Sequence, residues 1–203
     1  MKKILLFIFI LFISGCTIVR IDTSDIDNII NVVLSKENTL FNRIGKGFKY
    51  YIPRGVTYID TDGLTDRLYS NGTFYYLYID VLSFYHNIIL VYEENEDAYF
   101  SRRITPADGF RNYGFLEINR RGNMYHVEFV YNFARMETVV NRRNLNNAIL
   151  NAAYILSTIQ YNRDFIRLML DEGRFVNREE VFDNFLPNEN SGNLFELHVQ
   201  NNE

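Results

Sequence analysis

The sequence is poor in the residues that most often announce a chemistry. It has one cysteine, three histidines, three prolines and no tryptophan in 203 residues. A single thiol excludes an intramolecular disulfide and a cysteine-rich zinc site. The histidines, His86, His126 and His198, lie too far apart in sequence to form a metal pair on one helix face. No proline-rich linker, repeat or shift of composition divides the chain. There is no excess of base either: 21 Lys and Arg against 25 Asp and Glu give a net charge of −4. Nucleic-acid binding rests on neutralising phosphates, so no nucleic-acid partner is expected. The same balance gives no global attraction to an anionic membrane surface. No G-x-S-x-G elbow and no metal-ligand spacing is present. The longest apolar run, Ile4 to Ile13, rises only about 15 Å as a helix, half of a bilayer core.

That run is nevertheless the most informative stretch of the chain. Met1-Lys2-Lys3 is a positive start, Ile4 to Ile13 is unbroken Ile, Leu and Phe, and Ser14, Gly15 and Cys16 follow. This is the layout of a secretory signal. Ile13-Ser14-Gly15-Cys16 resembles the lipobox of bacterial lipoproteins: an aliphatic residue, two small residues, then cysteine. That family more often has Leu where this chain has Ile13. The resemblance implies that the signal peptide, residues 1–15, is cut before Cys16, and that the Cys16 sulfur carries a diacylglyceryl group. The membrane is then a partner through lipid on Cys16, and the chain sits on the extracytoplasmic face of the cell membrane. Two acyl chains hold a protein stably, at about 0.8 kcal/mol per buried methylene.

Removing Met1–Gly15 from the 203 residues leaves 188, and losing Lys2 and Lys3 takes the charge from −4 to −6. With 47% hydrophobic and 23% charged residues, that length supports one globular domain with a real core. Residues 16–23 read as a tether, 24–172 as a single α+β domain and 173–203 as a polar C-terminal extension. The expected fold is an antiparallel sheet of about five to seven strands, with an N-terminal and a C-terminal helix packed on one face.

The elements follow from periodicity. Ile26, Ile29, Ile30, Val33 and Leu34 recur at helical spacing, behind N-cap candidates Asp22, Thr23, Ser24 and Asp25. Strands are expected at Phe48–Ile52, Val56–Asp60, Leu64–Tyr69, Thr73–Val81, Tyr85–Tyr92 and Ala98–Ile104. Asp62-Gly63 and Asn71-Gly72 read as turns, and Pro106–Gly109 as a loop. Phe115–Asn119 is expected to pair with the strand from Met124 through Arg120-Arg121-Gly122-Asn123. On that strand Tyr125, Val127, Phe129, Tyr131 and Phe133 share one face, opposite His126 and Glu128. Asn144 is the expected N-cap of a helix whose stripe is Leu145, Ala148, Ile149, Ala152, Ile155, Leu156 and Ile159. That helix should cover the aromatic strand face. A short helix near Asp164–Leu170 stops at Gly173, and Arg178–Phe185 reads as a further helical turn.

No residue is assigned a catalytic, metal-binding or cofactor-binding role, and no cofactor is expected. Asp60-Thr61-Asp62-Gly63 has glycine two places too early for a calcium loop and reads as a turn. His126 and Glu128 share a strand face, which would suit proton transfer, but no nucleophile or metal accompanies them. Phe74, Tyr76 and Tyr78 share a face and would form either a sugar- or peptide-binding platform or ordinary cross-strand pairs. Arg102-Arg103, Arg120-Arg121 and Arg142-Arg143 read as solvated doublets, or as an anion-facing patch if the fold gathers them. A carboxylate pair built by the fold leaves no motif, and Asp60, Asp62, Asp80 and Glu128 are its first candidates. The functional expectation is a non-enzymatic, membrane-anchored module that docks an envelope protein. The alternatives are a saccharide- or peptide-binding lipoprotein and a cell-wall hydrolase.

Overall fold

The computed structural model describes residues 22–35, 37–105 and 113–171. The expected signal peptide, Cys16, most of the expected tether, and the expected Pro106–Gly109 loop, Arg178–Phe185 turn and 173–203 extension lie outside the described residues. The chain divides into two compact units, Met1–Ile166 and Arg167–Glu203.

Among the described residues, the first element is helix α1, Ile26–Leu34. Asp25 starts it, its carboxylate accepting the Asp27 N–H, which satisfies one of the amides a helix leaves open. Ile29, Ile30 and Val33 are the buried stripe. Short strands β1 (Arg43–Ile44) and β2 (Phe48–Tyr50) follow, then β3 (Thr57–Asp62), β4 (Thr65–Ser70) and β5 (Thr73–Ile79). Helix α2 is Val81–His86, and strands β6 (Phe100–Ile104), β7 (Gly114–Arg121), β8 (Met124–Tyr131) and β9 (Ala134–Asn141) come next. Helix α3 (Leu145–Ser157), strand β10 (Gln160–Tyr161) and helix α4 (Arg163–Asp171) complete the described chain.

The fold is α+β. A seven-stranded antiparallel sheet has the order β3-β4-β5-β9-β8-β7-β6, and a three-stranded sheet has the order β1-β2-β10. Two-residue turns set the register. Asn71-Gly72, both with positive φ, pairs Ser70 with Thr73, and Gly122-Asn123 pairs Arg121 with Met124.

Helix α3 packs against β8 and β9, and α1 packs against α3. All seven residues of the expected α3 stripe are buried, at 0–4% exposure. They meet a strand face formed by Tyr125, Val127, Phe129 and Tyr131, all buried. Each fully buried aliphatic or Phe side chain contributes roughly 1.5–3 kcal/mol, so this apolar layer is the main source of stability. Asn144 begins α3 but makes no side-chain cap. Its amide instead donates to the Asn71 carbonyl.

Three expectations change. Thr73–Val81 ends as a strand at Ile79. Tyr85–Tyr92 is not a strand: α2 runs to His86, and no strand covers residues 87–99. The cause is local. Asp80 accepts the Ser83 N–H at 2.8 Å and caps a helix, and Asn87 closes it in the left-handed region at φ 55. Phe133 does not extend the β8 face but occupies the β8–β9 turn with φ 57. A bulky residue there is strained. It is held by Tyr161, whose hydroxyl donates to the Asn132 and Phe133 carbonyls at 2.8 and 2.9 Å. Phe84 meets it edge-on and stacks on Tyr161.

Candidate functional site

Alternate residues of the same strands face away from the helices. Register places Glu117 of β7, Glu128 of β8, Glu137 of β9 and Tyr76 of β5 in one row across this outer face. His126 and Asn119 flank the row, being themselves paired. The row puts like charges opposite one another, which is unfavourable unless something compensates. Arg135 compensates: its Nε lies 3.3 Å from Glu128 Oε1 and its Nη1 3.4 Å from Glu137 Oε1. His126 Nε2 stands 3.6 Å from Glu137 Oε2. His126 and Glu137 are both buried. Glu128 and Arg135 are about a quarter exposed.

The irregular segment after α2 crosses one end of this row. Tyr92 stacks flat on Phe115, with centroids 3.9 Å apart. Its hydroxyl donates to Glu117 Oε2 at 2.5 Å and contacts Ser101 Oγ. Asn95 and Asn119 donate to Glu117 Oε1. Burial is the largest single influence on Glu117 and raises its pKa, but these three hydrogen bonds together hold it below its ordinary value. Glu128 goes the other way. Burial raises it, and neighbouring Glu137 and Glu117 add to the rise against Arg135 and His126. Tyr92 is pushed up to about 12, first by burial and then by its bond to Glu117. One carboxyl with its pKa lowered beside one with its pKa raised is an arrangement capable of acid–base chemistry. Each is also tied to protein partners, as in a structural network.

The chain matches no family model and no curated protein.

Among the sequence candidates, His126 and Glu128 do share a face, and His126 stands within ion-pair distance of Glu137. Asp60 pairs with Arg67 through two hydrogen bonds at an exposed edge. Asp62 is exposed, and Asp80 caps α2. None of these three joins the Glu128 row. Glu117, Glu137 and Arg135 join the row without any motif that marks them in sequence. Their signal lay in the turn: a two-residue Gly122-Asn123 turn sets Glu117 opposite Glu128, whereas a four-residue connection Arg120–Asn123 shifts the register by two. Asp60-Thr61-Asp62-Gly63 is indeed the end of a hairpin strand and its turn. Among the described residues, no group of three His, Cys, Asp or Glu is placed to hold a metal ion.

The tyrosine strand offers little platform. Tyr75 and Tyr78 are buried, and Tyr75 is raised by burial while bonded to Asn151 of α3. A second polar cluster lies between the two sheets. Buried Asp66 accepts the Tyr50 hydroxyl at 2.6 Å and also the Thr61 hydroxyl, and Arg43 lies over the Tyr58 ring at 3.5 Å. Burial and the Asp66 charge drive the Tyr50 hydroxyl far above its ordinary pKa, so it remains a donor.

Proposed function

We propose that the chain is an extracytoplasmic lipoprotein, anchored through Cys16, that acts by binding an envelope protein rather than by catalysis. The observation that carries the binding part is a run of four aliphatics in a row, Ile88, Ile89, Leu90 and Val91, each 43–79% exposed. Single exposed aliphatics are ordinary, but a contiguous exposed group marks an interaction surface. Its place fits the reading. The run follows α2, beside the β8–β9 turn, where the Asp80 N–H donates to the Phe133 carbonyl. Thr23, the end of the tether, is bonded to Asn146 at the start of α3, the opposite end of the sheet. A tethered domain would therefore present the run away from its anchor.

The test has two parts. Cys16→Ser should abolish labelling by a fatty-acid probe and release the protein from membranes, and retention of an unlabelled soluble form would overturn the anchor. A photo-crosslinking residue at Leu90 should trap an envelope protein in cells that the same residue at Thr57 does not. No protein adduct from any exposed position would overturn the binding reading. The hydrolase alternative draws on the Glu117–Glu128–Glu137 row. Turnover of peptidoglycan or simple glycosides that vanishes in Glu128→Gln would establish it instead.

A further inference from the structure

Two of the three arginine doublets end up side by side. Arg120 and Arg121 close β7, and the β8–β9 register pairs Met124, just past the turn, with Asn141. Arg142 and Arg143 follow Asn141 immediately, so all four guanidinium groups belong to one end of the sheet. All four are exposed. None of the four forms an ion pair among the described residues. Arg142 lies over the rings of Tyr99 and Tyr125, and Arg120 donates to the Gly122 carbonyl. Acids lie at this end as well: Asp22, whose carboxylate takes up the Ser24 N–H and hydroxyl, Asp25, which caps α1, and exposed Asp97, two residues before Tyr99. The four guanidinium groups therefore lie exposed and outside any ion pair among the described residues, at one end of a chain whose net charge is −4.

The tether arrives at the same end. Asn146, three residues past Arg143, donates to the Thr23 and Ser24 carbonyls at 2.7 and 3.1 Å. Thr23 is seven residue steps from Cys16, a span of at most about 25 Å. A lipid on Cys16 thus keeps this end within reach of the headgroups.

We propose that Arg120, Arg121, Arg142 and Arg143 form a docking surface for anionic phospholipid headgroups, which fixes the orientation of the lipid-anchored domain on the bilayer. The proposal rests on the anchor reading. The acyl chains supply attachment, and the arginines supply orientation through guanidinium–phosphate contacts. The overall acidity of the chain does not oppose this, because charges beyond a Debye length, about 8 Å at physiological salt, are largely screened. The exposed aliphatics then point away from the bilayer.

The test uses the lipidated full-length product in vesicles. Lipid blocks Cys16, so Asn123→Cys gives one labelling site at the arginine end and Ile89→Cys one at the far end. Energy transfer to a headgroup acceptor should be higher from position 123 than from position 89. It should be higher in vesicles containing phosphatidylglycerol than in phosphatidylcholine alone, and fall at high salt. Replacing all four arginines by glutamine should reduce it to the phosphatidylcholine level. The pair Arg121→Gln/Arg143→Gln, which disturbs no ring contact, should lower the docked-to-undocked ratio by about fivefold per arginine. Transfer that ignores lipid charge and both variants would overturn the proposal, as would stronger transfer from position 89. If inorganic polyphosphate raises the anisotropy of the position-123 label while anionic lipid leaves transfer unchanged, the arginines serve another polyanion and the lipid assignment fails. Absence of acyl labelling on Cys16 is a separate result, and it removes the anchor as well.

Discussion

The seven-stranded sheet has two faces made from the same strands and held by different forces. Toward the helices, β8 presents Val127 and Phe129, β9 presents Met136 and Val140, and all four are essentially inaccessible. Toward the outside, the same two strands present His126, Glu128, Arg135 and Glu137. The inner face is stabilised by removing apolar surface from water, which needs no particular partner. The outer face is stabilised only if each charge meets its counterpart, so every member depends on the others. Its cover differs accordingly. A thirteen-residue helix lies on the inner side, whereas an irregular segment reaches the outer side through Tyr92 and Asn95.

Substitutions can break this comparison. The largest effect is expected on the inner face: Ile149→Ala or Leu156→Ala should each lower unfolding free energy by about 2–5 kcal/mol, read by urea denaturation. A loss under about half a kcal/mol, normal for surface sites, would show that α3 does not close the core. Next comes Tyr50→Phe, which takes a donor from buried Asp66 at the junction of the sheets. It should cost about 1–3 kcal/mol, and a neutral result would mean that water replaces the hydroxyl. Tyr92→Phe keeps the stacking on Phe115 but removes the bond to Glu117, for a loss of about 0.5–1.5 kcal/mol. Amide exchange should then speed up in residues 87–99 more than in α3.

The smallest effects are in pH dependence, and they have opposite signs within one row. Glu117 has a folded pKa below the ordinary 4.5. Its stabilisation is fully present above that value and is lost as pH falls through the lower folded pKa. Glu128 has a folded pKa above 4.5. The folded state holds its proton more tightly, so Glu128 favours folding at acid pH, and that advantage is lost as pH rises through the folded pKa. Glu117→Gln should therefore flatten the acid-side loss of stability. Glu128→Gln should raise stability at neutral pH relative to wild type. Parallel shifts of melting temperature in both variants between acid and neutral pH would break the assignment.

The inner face was readable from residue order because burial has a period. Leu145 to Ile159 repeats as a helix and Tyr125 to Tyr131 as a strand, so both stripes could be named before any contact was known. The outer face was half readable: parity put His126 beside Glu128, but parity says nothing of the neighbouring strands. Tyr85–Tyr92 reads as a strand because a run of aromatics and aliphatics suits that element, whereas the Asp80 cap that decides for a helix carries no mark in sequence beyond a polar side chain.

What residue order determines by itself in this protein is local: the Asp25 cap, the Asn71-Gly72 turn, and the alternation that makes an α+β domain. Each depends on neighbours in sequence, through backbone geometry and the 3.6- and 2-residue periods. What only the tertiary structure decides is which charges meet. Glu117, Glu128 and Glu137 lie within twenty-one residues of one another, yet they form a row only because two tight turns fix the register. Arg120–Arg121 and Arg142–Arg143 share an end of the sheet for the same reason. Electrostatic interaction depends on distance in space, and in a sheet that distance is set by register between strands, which no single strand encodes.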